Sequence, residues 1–199
     1  MTDKWNTQLT LVKRAQDPND QQAWHDFVRH YQPFIEITLR RLTHRSSEYD
    51  DLIQETLLII WKSLSDFKFK PHPGGFRRWL STIIRNRVID LVRKNNNYNK
   101  RNESAAQEKL IQEEFKKTEM ETIIVQDWER HITQTALTNV KQYFSGTAVV
   151  VFELSLKGFS ASEISKKLEI HQDSVRTLKN RVKNRVVKEV QRLRTELEF

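Results

Sequence analysis

The sequence predicts an all-α protein, two small helical domains joined by a linker. Three observations predict it. The 199 residues include only four glycines and four prolines, too few for a turn-rich β architecture. Apolar residues recur at helical spacing along most of the chain. Charge falls in blocks: ten Lys/Arg against two acids from Asp66 to Arg101, eight acids against four bases from Asn102 to Arg130, and eight bases against four acids from His171 to Phe199. Two basic modules therefore flank an acidic middle. Apolar content of 37% is low for one large core but adequate for small helical modules.

Helices are expected at 7–15, 19–43 (bent near Pro33), 48–65, 75–94, roughly 104–139, 144–157, 160–168 and 172–197. The loop FKFKPHPGG, 67–75, is held open by Pro71, Pro73 and two glycines. The stretch NNNYNKRNESAAQEK, 95–109, is polar and opens a linker. The expected domains are thus 1–94 and 125–199, with a polar, acidic linker over 95–124.

In 48–65, Leu52, Ile53, Leu57, Ile60 and Leu64 face one way. Asp51, Gln54, Glu55 and Lys62 face the other, with Leu58 among them. A leucine ringed by acids and an amide has the character of a protein-docking patch, although single surface leucines are common. In 75–94, Phe76, Leu80, Ile83, Ile84, Val88 and Leu91 form the inward stripe. Arg78, Thr82, Arg85, Asn86, Ile89 and Arg93 form the outer face. This segment carries five arginines and Lys94 against Asp90 alone, which pairs along the helix. Trp79 lies at the edge. It either completes the core or offers a stacking surface for an unpaired base beside phosphate-binding arginines.

The C-terminal stretch KGFSASEISKKLEIHQDSVRTLKNRVKNRV is the most specific local signal. Ser160 and Glu163 form a capping box. A short helix, a turn at Glu169-Ile170-His171 and a longer helix give helix-turn-helix geometry. Val175, Leu178, Val182, Val186, Val190, Leu193 and Leu197 share one stripe of the longer helix, and Lys179 falls near it with its stem packed. The opposite side presents Arg176, Thr177, Asn180, Arg181 and Asn184. Arginine and asparagine can grip guanine and adenine edges bidentately.

Net charge of +8 and a pI near 9.7 suggest a polyanionic partner, nucleic acid or an acidic membrane surface. With no cysteine, disulfides and thiolate metal sites are excluded. No segment has the makings of a signal peptide or a membrane span, so a cytoplasmic location without membrane insertion is expected. Asp50, Asp51 and Glu55 are close in sequence. No second acidic or histidine cluster stands at metal-binding spacing, and the six histidines are scattered. The chain is therefore not expected to be an enzyme, and no catalytic residue, metal or cofactor is expected.

These motifs, in this order, resemble a bacterial RNA polymerase sigma factor of the extracytoplasmic-function (ECF) type of the sigma-70 family. DDLIQETLLIIWKSL is similar to the core-binding helix, GGFRRWLSTIIRNRVIDLVRK to the helix that melts the -10 element, and GFSASEISKKLEIHQDSVRTLKNRVKNRV to the helix-turn-helix that reads the -35 element. The resemblance spans roughly 20–94 and 125–197 and makes the two domains region 2-like and region 4-like. It implies a transcription initiation factor whose partners are core polymerase, through its beta-prime and beta subunits, and promoter DNA, and it leaves room for an anti-sigma factor. It implies that Asp51, Gln54, Glu55 and Leu58 meet the polymerase. Phe76, Arg78, Trp79, Arg85, Asn86 and Arg93 would serve the -10 element, and Arg176, Thr177, Asn180 and Arg181 the -35 element. The sequence departs from the family where the loop lacks an Asp-Pro start, where His171 replaces a Ser/Thr cap, and where Leu178 replaces a basic residue. A helix-turn-helix regulator acting without polymerase is the alternative. It accounts for the C-terminal module but not for the Leu58 patch or the second basic block.

Overall fold

The computed structural model describes residues 8–43, 49–68, 75–99, 106–144 and 146–198, with backbone alone at 8, 94–99, 106–117 and 198. The described residues form eight α-helices and no strand. They are α1 (Gln8–Arg14), α2 (Gln21–Thr43), α3 (Tyr49–Leu64), α4 (Gly75–Asn99), α5 (Ala106–Lys141), α6 (Gly146–Leu156), α7 (Ala161–Leu168) and α8 (Gln172–Glu198). The chain divides into two compact units, Met1–Glu129 with Glu196–Phe199, and Arg130–Thr195.

The first unit is built on α2. Asp20 caps it: its carboxylate accepts from the Ala23 backbone N–H at 2.9 Å and pairs with Arg14 at 2.8 Å. The Ala23 bond first, and Arg14 second, hold this carboxyl below its usual range. Ala23, Phe27, Tyr31, Phe34, Ile35, Thr38 and Leu39 recur every three or four residues and are all buried. The helix continues through Pro33. The Gln16 amide donates to the carbonyls of Leu64 and Phe67, covering the open end of α3.

Trp128 of α5 is fully buried in this unit. Its ring lies 5.3 Å from Phe34, edge-on, and 6.4 Å from both Tyr31 and Phe76. Beside it, Asp127 is buried and paired with Arg41 of α2, whose guanidinium also donates to Gln126 at 3.2 Å. Aromatic packing and a buried ion pair draw residues 126–128 onto α2.

His30 adds a pH dependence. Burial lowers its pKa from 6.5 to about 4, because the charged ring would lose its water. The unfolded chain then binds a proton that the folded chain refuses. Stability should be full above pH 6.5 and fall by about 1 kcal/mol per pH unit down to about pH 4. Hydrogen-exchange protection factors of the α2 amides at pH 7 and pH 5 check this, and His30→Gln should flatten the difference.

In the second unit, Val151, Leu154, Ile164 and Val175 form the core that joins α6, α7 and α8, with Ala161, Leu168, Ile170 and Leu178 against it. Gly158, at φ 91°, ends α6, and the Gly158 and Phe159 N–H groups return to the Ser155 and Leu154 carbonyls. The Ser160 capping box is formed: Glu163 N–H donates to the serine oxygen at 3.2 Å, and Ser160 N–H donates to the glutamate at 2.7 Å. The Ser160 hydroxyl and then its N–H keep the Glu163 carboxyl below its usual range. Glu169 closes α7 in the left-handed region, at φ 54°, where glycine is usual.

Candidate protein and nucleic-acid interfaces

Helix α3 has two unlike sides. Leu52, Ile53, Thr56, Ile60 and Leu64 are buried, and the Thr56 hydroxyl donates to the Leu52 carbonyl instead of disturbing the core. Asp51, Gln54, Glu55 and Lys62 are exposed on the other side, with Leu58 48% and Trp61 44% exposed. Trp61 was not among the candidates, because a tryptophan in an apolar run reads as core. Its position three residues after Leu58 was the available signal, since i, i+3 neighbours share a helix face. Glu55 is paired with Arg87 of α4.

Helix α4 buries Phe76, Leu80, Ile84 and Val88. Phe76 is thereby corrected as a DNA contact. Fully buried, it packs against Phe27, Tyr31, Phe67, Trp79 and Trp128. The helix needs an apolar anchor at its start, and Phe76 supplies it. Trp79 is half-buried, its ring 5.1 Å from Phe67 and 5.5 Å from Phe76. Part of it joins the aromatic cluster and part stays accessible. Arg78, Asn86 and Arg93 are exposed. Arg85 is paired with Glu121 of α5 at 2.9 Å. Arg77, Arg78, Ser81, Thr82 and Arg85 line one side of a cleft of about 450 Å³, with Glu121, Ile124 and Val125 opposite. Arg77 and Ser81 belong to this cleft but were missed, as they lie between the two faces assigned by phase. Asp90 pairs with Arg87 at 3.5 Å. Residues 69–74 of the loop lie outside the described residues.

The helix-turn-helix exposes Arg176, Thr177, Asn180, Arg181 and Asn184 on one side of α8, and buries Val175, Val182 and Val186 on the other. His171 replaces the usual serine or threonine cap in kind. Its ring Nδ1 accepts the Asp173 N–H at 3.3 Å. Arg176 pairs with Asp173 at 3.1 Å. Lys179 is exposed, so it joins the wet side and not the packed stripe.

Among the described residues, no group of three or more His, Cys, Asp or Glu side chains could hold a metal ion. Among them, too, no helix is long and apolar enough to cross a membrane.

Residues 27–98 match the sigma-70 region 2 family. ECF RNA polymerase sigma factor RpoE of Cereibacter sphaeroides is 27% identical over 96 residues, 47% of this chain and 52% of the relative. ECF RNA polymerase sigma factor SigE of Mycolicibacterium smegmatis is 29% identical over 72 residues, 36% of this chain and 26% of the relative. The matches thus span about half the length of the first relative and about a quarter of the second. A solved structure of CnrH in complex with the cytosolic domain of CnrY is 19% identical, with a TM-score of 0.36 over 92% of this chain and 96% of that one. So low a score carries no argument.

Proposed function

We propose that this chain, whose residues 27–98 match the sigma-70 region 2 family and which is similar to ECF sigma factors, is a transcription initiation factor of that type. It binds bacterial core RNA polymerase, directs it to specific promoters and helps to open the -10 region. One observation carries the reading. The family match falls on the span that holds α3 and α4, an exposed Leu58–Trp61 face on one helix and an arginine-lined cleft on the other.

In this reading the α3 face, Asp51, Gln54, Glu55, Leu58 and Trp61, docks on core polymerase. Two large apolar side chains within an acidic and amide border suit a desolvated contact with a polar rim. Arg78, Trp79, Arg85, Asn86 and Arg93 of α4 hold the melted -10 strand. An unpaired base stacked on an aromatic ring gains about 1–3 kcal/mol, and phosphate contacts add a salt-dependent share. Trapping bases as they open is sufficient to favour the melted state, so no covalent step and no cofactor is required. Arg176, Thr177, Asn180 and Arg181 read the -35 element from the major groove. Each of the two units supplies one promoter contact, and the protein works in the cytoplasm alongside the polymerase. An anti-sigma factor would compete for the same faces.

Arg176→Ala tests the upstream half of the reading. In holoenzyme made with bacterial core polymerase, it should cost about 1–3 kcal/mol on the selected -35 sequence and relax preference at one position. Binding isotherms on a set of single-base variants measure both. An equal loss on every sequence would make Arg176 a phosphate contact.

A further inference from the structure

Three cations of the second unit lie over aromatic rings: Lys167 over Phe159 at 5.5 Å, Arg181 over Phe144 at 5.8 Å and Arg185 over Tyr143 at 5.1 Å. The last two pairs have a common origin. Tyr143 and Phe144 are consecutive residues in the turn after α5, where their N–H groups return to the carbonyls of Val140 and Lys141. Arg181 and Arg185 stand one turn apart on α8, both exposed, at an edge of the face that carries Thr177 and Asn180. Such turns ordinarily carry small or polar residues. Here the Tyr143 side belongs to a residue 61% exposed, so burial of the ring does not explain it.

We propose that Tyr143 and Phe144 are positioning residues for DNA binding, holding Arg185 and Arg181 with their N–H groups outward, and that Arg185 is a phosphate contact flanking the upstream element. The proposal rests on the reading of α8 as the recognition helix. A guanidinium over a ring gives up its flat face and keeps its in-plane donors. Those donors are the ones that meet phosphate oxygens. A side chain already held in place also loses less rotamer freedom when it binds. Arg176 shows the contrast: one of its guanidinium nitrogens is engaged by the Asp173 carboxylate at 3.1 Å, a bond that a phosphate would compete with. The aromatic turn orders two arginines without taking their donors.

The test uses holoenzyme reconstituted with bacterial core polymerase and two duplexes, one with the upstream element that the wild type selects and one of random sequence. Tyr143→Leu should weaken binding to both by about two- to five-fold, the range for an exposed cation–π pair. Tyr143→Phe, which keeps the ring, should bind as the wild type does. Arg185→Ala should weaken binding by at least as much and make the salt dependence shallower by about one phosphate contact. Adding Tyr143→Leu to Arg185→Ala should change nothing further. Adding Phe144→Leu to Arg181→Ala should likewise change nothing further, with the Phe144→Leu loss larger on the selected duplex because Arg181 reads bases. Melting temperatures measured in parallel should not follow the binding losses. Unchanged binding by Tyr143→Leu, a loss in Tyr143→Phe as well, or losses that add in the double variant overturns the positioning role. If the wild type prefers neither duplex, the initiation-factor reading fails instead, and the random duplex still decides the role of the turn, because a phosphate contact acts there too.

Discussion

Leu58→Asp combined with Trp61→Ala should lower affinity for bacterial core polymerase roughly a thousand-fold. Central aromatic and aliphatic anchors each contribute about 2 kcal/mol or more when truncated, and about 4 kcal/mol is close to three decades in Kd. Both side chains are nearly half exposed, so the substitutions remove contact surface without opening the core of α3. The helical signal and melting temperature should stay as they are. Asp51→Ala with Glu55→Ala should weaken binding less, since these groups lie at the polar border, and Glu55 is already paired with Arg87. Fluorescence titration of core polymerase with each variant measures the ranking. Affinity within two-fold of wild type for the Leu58/Trp61 double variant would move the docking face away from α3.

Trp128→Ala should destabilise the first unit by about 3–5 kcal/mol. The ring is fully buried among Tyr31, Phe34 and Phe76, so its removal leaves a void lined by rings that cannot collapse onto an alanine. The measurement is native-state hydrogen exchange at the amides of Phe27, Tyr31 and Phe34 on α2. With two compact units in the chain, a single bulk transition would mix their stabilities. Protection should fall at these amides and persist at Ile164 and Val175. A loss below about 1 kcal/mol would mean that Trp128 is not central to this core.

Most of the helical order was legible in the sequence, for local reasons. Capping chemistry at Ser160 and Glu163, the apolar spacing in α4 and α8, and the scarcity of glycine and proline act over a few residues, and each reached the structure in the expected form. What lay hidden was the choice of partners over long separations. Arg41 and Asp127 are 86 residues apart, and Trp128 completes a core that begins at Phe27, so no periodicity joins them. Phase put Phe76 in the inward stripe while the resemblance put it among the -10 contacts, and complete burial decides for the stripe. Phase could not show that Glu55 and Arg85 are engaged by Arg87 and Glu121. Trp61 and the Tyr143–Phe144 turn escaped for a different reason. Composition treats an aromatic residue as core, and only exposure reveals one that is not.

The central claim is initiation, and reconstitution tests it most directly. Purified protein, bacterial core polymerase and a pool of random promoter DNA are combined, and run-off transcripts are mapped. The account predicts defined start sites that appear only when the protein is added, with shared upstream motifs at a fixed distance. Core polymerase that neither binds the protein nor starts, while the protein alone selects a DNA sequence, would contradict it and make the chain a helix-turn-helix regulator whose α3 face serves another partner.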